Sequence, residues 1–492
     1  MDIELFIEAL FGILQWKPLL MIFAGVAGGI LIGSLPGLTA TMGVALLVPF
    51  TFGLPFNESI GMLLGIFSGS VYGGSISAIL INTPGTPAAA ATLLDGYPLS
   101  QKGEAGRALS MSVFASFVGG FTGALIMTFL SPQISQLALE FSAAEYFGLA
   151  TFGLSIIISV SGKSILKGIM VGFLGLLIST IGMDPVSGYP RFTFGSMNLF
   201  EGPAFIPTLI GLFAFAEVFK GVEQLTTTKQ VVSKISSVFP SLSDIKRTWK
   251  DMAKSSVMGT FIGSIPGAGS DIAAFVGYSE AKRRSKNPEK FGTGQIEGVA
   301  AAESANNACS GGAMIPMLSL GVPGDAVTAI LLGAFVIQGI QPGPMLYKED
   351  LDVVYSVFSA MLVANVAMLI VGFLGVRFFA RAITVRKSIL LPAIFIMSIV
   401  GAYSMRNNMF DVWLALGFGV LGYFLQRYRF PVSPILLALI LGPMAEANLR
   451  RALIIADNSM IDVLSRPITA IFLILGLVTL IMSILRQRKA HD

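Results

Sequence analysis

The chain of 492 residues is 54% hydrophobic and only 12% charged, and it carries one cysteine, one histidine, 55 glycines and 24 prolines. A soluble domain has about a quarter charged residues, so this composition argues against a soluble protein and for an all-α polytopic membrane protein. The formal charge of +4 is a loop property with no call for nucleic acid. The lone Cys309 rules out an internal disulfide and a Cys-based zinc site, and the lone His491 argues against histidine chemistry in the core.

The first segment, "MDIELFIEALFGILQW", is acidic and lacks a basic start and a small-residue cleavage site. It reads as an interfacial helix over 1–16, not a signal peptide. Apolar runs then recur along the chain, among them "GALIMTFL" (123–130), "GIMVGFLGLLISTIG" (168–182) and "AIFLILGLVTLIMSIL" (470–485). Segments approaching ~20 apolar residues read as membrane spans, about ten to twelve crossings or part-crossings in all. The expected organisation is a first membrane repeat at 17–222, a cytoplasmic connector at 223–252 and a second membrane repeat at 253–492.

Within the first repeat, "GSLPGLTAT" (33–41) interrupts an apolar run, and "GSIPGAGSD" (263–271) does the same in the second. Proline lacks an amide donor and glycine lacks a side chain, so each Pro-Gly frees backbone groups that lipid cannot satisfy. Further on, "GGSISAILINTPGTP" (73–87) resembles "GGAMIPMLSLGVPGD" (311–325), with a one-residue slip before the second Pro-Gly. Each half continues to a proline-bearing apolar segment, "IPTLIGLFAF" (206–215) or "SPILLALILGP" (433–443). An internal duplication accounts for the pattern.

Loop charges orient the copies. The loop 131–146 has no Lys or Arg, while its counterpart 377–387 carries Arg377, Arg381, Arg386 and Lys387. "LPFNES" (54–59) is likewise free of basic residues, and "KRRSKNPEK" (282–290) is dense with them. Basic loops stay in the cytoplasm, so the two repeats are expected to have inverted topology. Each opening Pro-Gly then tips a re-entrant hairpin, and the later ones break further helices at related depth.

Broken helices aim amide ends at anions and freed carbonyls at sodium. The expected substrate-binding residues are therefore Ser34, Pro36, Gly37, Thr39 and Thr41 at the first break and Asn82, Thr83, Pro84, Gly85 and Thr86 at the second. Ser264, Pro266, Gly267 and Ser270 follow at the third, and Pro323, Gly324 and Asp325 at the fourth. Asp271, with Glu303, Asn306 and Asn307 of "ESANNACSGG" (303–312), supplies oxygens suited to sodium as a coupling ion. The alternatives are helix capping for Asp271 and Asp325 and helix–helix hydrogen bonding for the asparagines, Asn82 included. The small-residue run 65–78 reads as close packing, with Ser68, Ser70 and Ser75 as further contacts.

The stretches 33–54, 74–109, 263–283 and 311–335 resemble the large membrane subunit of bacterial tripartite tricarboxylate transporters, and the similarity extends over nearly the whole chain. That resemblance implies import of citrate-like or other organic carboxylates across the bacterial inner membrane, driven by a sodium or proton gradient. It also implies two partners, a small integral membrane subunit and a periplasmic solute-binding protein. Analogy with other inverted-repeat carriers adds an elevator-type alternating-access motion. An ion channel with re-entrant loops is the competing class. An enzyme is not expected, since the chain lacks an HExxH motif and any Ser-His or Cys-His pair for the core.

Overall fold

The computed structural model describes residues 2–160, 165–184, 187–223, 239–383, 385 and 387–491. Residues 224–238 of the connector expected at 223–252, with Lys229 and Lys234, lie outside the described residues, as do 161–164 and Arg386. In chain order the main helices begin with α1 (Ile3–Ile13), α2 (Trp16–Ser34), α3 (Ala40–Thr51), α4 (Phe56–Ile81), α5 (Ala90–Gln101) and α6 (Ala105–Ala138). Next come α7 (Ala143–Val160), α8 (Ile165–Ser179) and α9 (Phe205–Glu223). The second half supplies α10 (Leu242–Gly263), α11 (Gly269–Arg284), α12 (Ile296–Leu320), α13 (Ala326–Ile337) and α14 (Leu351–Ala382). It ends with α15 (Lys387–Ser404), α16 (Met409–Arg427), α17 (Ser433–Ile455) and α18 (Pro467–His491).

Among the described residues, eight helices are long and apolar enough to cross a membrane, and three apolar helices are shorter. The strand pairing of Gly182–Met183 with Pro190–Arg191 is a minor exception, so the chain is an all-α polytopic membrane protein. The 12-residue helices α3, α5 and α13 are each about 18 Å long, short of an apolar layer about 30 Å thick. Each directly follows, or closely follows, one of the Pro-Gly sites. These are broken helices.

The chain forms two compact units that both draw on the two halves of the sequence. One comprises Met1–Ser135 with Gly221–Ile394, and the other Gln136–Lys220 with Phe395–Asp492. In the second unit, α17 packs on α7 and α8, α18 on α7, and α16 on α9. Ion pairs tie its helix ends and loops: Arg191 to Glu446 at 2.7 Å, Arg450 to Asp184 at 2.8 Å and Arg466 to Glu145 at 3.1 Å.

The first unit holds every residue expected at the site. Its α1 starts at Asp2, whose carboxylate accepts from the Glu4 and Leu5 amides. That helix lies along α14, with the Asp2 amide donating to the Tyr355 hydroxyl at 2.7 Å, and leaves Ile3, Ile7 and Phe11 exposed. Two equivalent helix pairs form the centre, α2 on α4 and α10 on α12. Their backbones touch through glycine. A Cβ on Gly29 would stand 2.5 Å from the Ile66 carbonyl oxygen, and one on Gly73 2.5 Å from that of Ile30.

The second pair repeats those contacts. Gly259 abuts the Ala305 carbonyl as Gly29 abuts Ile66, Gly263 abuts Cys309 as Gly33 abuts Ser70, and Gly312 abuts Thr260 as Gly73 abuts Ile30. Gly73 therefore corresponds in space to Gly312, not to Gly311. With that register Gly85 and Gly324 also correspond, and the one-residue slip in the sequence alignment disappears. Close backbone approach through small residues is how helices gain dispersion contacts where lipid offers no hydrophobic drive.

At the unit's charged end, Arg107 at the start of α6 holds Asp244 of α10 through two hydrogen bonds, at 2.8 and 2.6 Å. That guanidinium keeps the Asp244 carboxyl below the usual aspartate range, against the opposing effect of burial.

The neighbouring glycines Gly28 and Gly29 provide a paired test of the packing. Gly28 has only a Leu47 methyl at 3.9 Å, so Gly28→Ala is expected to be neutral or to gain up to ~1 kcal/mol from helix propensity. Gly29→Ala must push α2 from α4 and is expected to lose about 1–3 kcal/mol. Thermal unfolding of the two variants in detergent checks the difference.

Candidate site at the four chain breaks

The Pro-Gly sites at Pro36, Pro84, Pro266 and Pro323 each fall at a break between helices. The first falls between α2 and α3. Ser34 closes α2 with its hydroxyl on the Leu31 carbonyl at 2.8 Å, and Gly37 turns the chain at φ 98°. Thr39 then caps α3 by accepting from the Met42 amide at 3.2 Å, with Thr41 in the first turn. Its partner lies between α10 and α11. Ser264 bonds back to Phe261 at 2.8 Å, Pro266 is buried, Gly267 turns at φ 84°, and Ser270 and Asp271 fall in the first turn of α11.

The second break ends α4 at Asn82, which adopts the left-handed conformation at φ 57°. Gly321 does the same at φ 70° where α12 ends, and in the corrected register the two positions are equivalent. Asn is the residue other than glycine that most readily accepts this helix-ending geometry. Thr83 is exposed, Pro84 is half-buried, and Gly85 and Thr86 are buried. The Thr86 hydroxyl has no hydrogen-bond partner among the described residues. At the fourth break Pro323 and Gly324 are buried, and Asp325 caps α13 in a reciprocal capping box: the Thr328 amide donates to its Oδ1 at 2.7 Å, and its own amide donates to the Thr328 hydroxyl at 2.9 Å. Asp325 thus performs the capping that the sequence offered as one of its two readings.

Within each repeat the paired breaks meet. The Gly85 amide donates to the Gly74 carbonyl at 3.1 Å, and Gly85 lies against the Gly33 carbonyl with no room for a Cβ. In the other repeat the Gly267 amide donates to the Gly324 carbonyl at 2.7 Å. Across the repeats α3 packs against α13, while α11 packs against α5 and the Pro87–Ala89 turn that precedes it. Four helix starts are so gathered in one unit. Asp271 also lines an open groove of about 420 Å³ with Met258, Ile272, Phe275, Val276, Ser279, Glu280 and Arg283.

Glu303, Asn306 and Asn307 come together on α12, fully enclosed. Ser75 of α4 and Thr92 of α5 donate to Glu303 Oε1 in direct contact, and Ser116 of α6 donates to Oε2 at 2.7 Å. Asn306 Nδ2 reaches Oε1 at 3.4 Å and the Ala88 carbonyl at 3.1 Å. Asn307 donates to Asn306 Oδ1 at 2.6 Å and back to the Glu303 carbonyl at 3.1 Å. Asp271 lies on another element, in the first turn of α11. Among the described residues no group of three or more His, Cys, Asp or Glu side chains could hold a metal ion.

Sequence reasoning passed over Thr92, Ser116 and Asp95. The first two are ordinary hydroxyls in apolar runs, and only the pairing of distant helices gives them a role. Asp95 is buried on α5, where its Oδ1 accepts from the amides of Gly292, Gly294 and Gln295 at 2.8–2.9 Å and its Oδ2 from the Tyr278 hydroxyl at 2.9 Å. It ties the turn between α11 and α12 to α5. Its Asp-Gly context reads as an ordinary turn signal, which hid it.

An apolar helical chain whose broken helices meet in pairs is built as a membrane transport protein. The comparison with known families gives the particular one: residues 19–437 match the tripartite tricarboxylate transporter TctA family, and the chain belongs to that family. It is 38% identical over 463 residues, 94% of this chain and 92% of the relative, to a 52.8 kDa protein of Agrobacterium vitis described as lying in the TAR-I ttuC' 3' region. It is 40% identical over 227 residues to a second protein of that organism, in the TAR-II ttuC' 3' region, covering 46% of this chain and 94% of the relative. No solved structure matches.

The equivalence of Asn82 and Gly321 gives a test of the capping role. Asn82→Gly is expected to keep both folding and transport, while Asn82→Ala loses about 1–2 kcal/mol from the left-handed backbone. Normal folding of Asn82→Gly with a loss of transport would instead make the Asn82 amide a ligand.

Proposed function

We propose that the chain is the permease subunit of a binding-protein-dependent secondary transporter that imports tricarboxylates or related organic carboxylates. Its partners are a small integral membrane subunit and a periplasmic solute-binding protein, and its place is the bacterial inner membrane. The observation that carries this reading is the pairwise meeting of four helix breaks in a chain of the TctA family. Helix starts at α3, α11, α13 and the Pro87–Ala89 turn present amide dipoles to a carboxylate. Thr39, Thr41, Thr83, Thr86 and Ser270 add neutral donors without burying cations. Asp271 supplies carboxylate oxygen for a sodium ion at the tip.

Coupling to a cation gradient follows from electrostatics. Bringing each negative charge into a negative interior is uphill by ~2.3 kcal/mol per 100 mV, and co-transported sodium ions or protons offset it. The two hairpins suit an elevator-type motion that carries the site from one side to the other.

Proteoliposomes holding the two membrane subunits provide the test. Labelled carboxylate is expected to accumulate only when the binding protein is outside and an inward cation gradient is present. Uptake indifferent to every ion gradient removes the coupling. Large unitary currents in planar bilayers would contradict the carrier class and establish a channel.

A further inference from the structure

Helices α1, α4 and α14 of the first unit enclose an open pocket of about 420 Å³. Leu5, Glu8, Ala9 and Gly12 recur at helical spacing, so one face of α1 forms a wall. Asp352 and Ser356, one turn apart on α14, form another, and Phe11, Gln15 and Asn57 complete the lining. The walls are fixed to each other. The Asp2 amide donates to the Tyr355 hydroxyl at 2.7 Å, and the Phe6 ring meets that of Tyr355 edge-on at 6.1 Å. Gly12 lies so near α4 that an added Cβ would stand 3.3 Å from Asn57 Nδ2.

The polar groups of this pocket have no partners of their own. Glu8 and Asp352 make no ion pair or side-chain hydrogen bond among the described residues, and neither do Gln15 and Asn57. Ser356 is only 7% exposed, and its hydroxyl is likewise unbonded among the described residues. A hydroxyl buried that deeply costs free energy until something bonds it. The adjoining segments carry Glu4, Glu58, Glu349 and Asp350 against Lys17 and Lys348, so the local field favours a cation.

Size and lining select which cation. Oxygens grip a metal ion at about 2.0–2.6 Å, far tighter than a space of about 420 Å³. Leu5, Ala9 and Phe11 offer nothing to a bare ion but suit the methylene stem of a long side chain. A guanidinium presents several donors in a planar fork, enough for both carboxylates and the neutral oxygens of Ser356, Gln15 and Asn57. The exposed Phe11 ring adds a surface for stacking.

We propose that this pocket is the docking socket for an arginine side chain of the periplasmic solute-binding protein. The proposal rests on the permease reading above and on its topology, in which the 54–59 turn, and with it this end of α4, faces outward. Asn57 and Asp352 each stand second in their helices, and Glu8 and Asp352 are exposed. A soluble partner reaches carboxylates placed beyond the apolar spans, where a membrane-embedded one does not.

The test uses both membrane subunits in nanodiscs with the purified solute-binding protein in solution. Glu8→Gln and Asp352→Asn are each expected to weaken binding about tenfold, chiefly through faster dissociation, because a charge pair covered in the complex acts on its lifetime. Glu4→Gln removes an equal charge outside the pocket, and its dissociation rate is expected to stay within about twofold of the wild type. Replacing the matching arginine of the solute-binding protein by alanine should cost the same tenfold, with little further loss on adding Asp352→Asn. Unchanged dissociation in both pocket variants, or an equal rise in Glu4→Gln, overturns the proposal and leaves the permease reading standing. Loss of the small membrane subunit from the purified Asp352→Asn complex also overturns it, since the pocket would then hold that subunit. A wild-type complex that neither binds the solute-binding protein nor takes up carboxylate with it overturns the permease reading itself. Should the charge variants fail to insert, Ser356→Ala keeps both carboxylates and is expected to speed dissociation about threefold; an unchanged rate counts against the socket.

Discussion

A helix interrupted inside an apolar chain leaves amides and carbonyls that lipid cannot bond, and each such group costs several kcal/mol if nothing else meets it. Here the interruptions meet one another. The Gly267 amide bonds the Gly324 carbonyl, and the Gly85 amide bonds the Gly74 carbonyl beside the first break. That arrangement demands glycine at the contact, and it demands that α2 and α4, or α10 and α12, approach at backbone distance. The small-residue faces of these helices follow from the same need. So does the burial of polar residues around them, since a break that is sealed by protein can keep hydroxyls and amides out of lipid.

The two halves solve this problem with different residues in one geometry. Asn82 and Gly321 both end a long helix in the left-handed conformation. Thr86 and Asp325 both follow a buried Gly, and only Asp325 closes a capping box, which leaves the Thr86 hydroxyl unpartnered among the described residues. Thr39 caps α3, whereas its counterpart Gly269 opens α11 with positive φ. The repeats therefore share a backbone plan while their side chains differ.

Much of this was legible in the residues. Pro-Gly in an apolar run forces a break wherever it falls, so all four interruptions could be placed from Pro36, Pro84, Pro266 and Pro323 alone. The duplication was legible too, but its register was not. Matching Gly73-Gly74 with Gly311-Gly312 by letter ignores which glycine faces the neighbouring helix, and only the contacts with Ile30 and Thr260 settle it. The partners of Glu303 were hidden for a related reason. Ser75, Thr92 and Ser116 lie more than 180 positions away from it in the chain, and a lone hydroxyl in an apolar helix carries no signature of what it will meet. The interleaving of the halves into two units was equally unwritten, because it depends on which helices pair.

The central claim is that oppositely threaded, paired breaks form one alternately exposed site. Single cysteines at Thr39 and Ser270, in a Cys309→Ala background, test it with membrane-impermeant thiol reagents in oriented vesicles. The account predicts that the two positions are labelled from opposite sides and that carboxylate together with the coupling cation slows labelling at both. Labelling of both from the same side, or rates at both that substrate leaves unchanged, would contradict it.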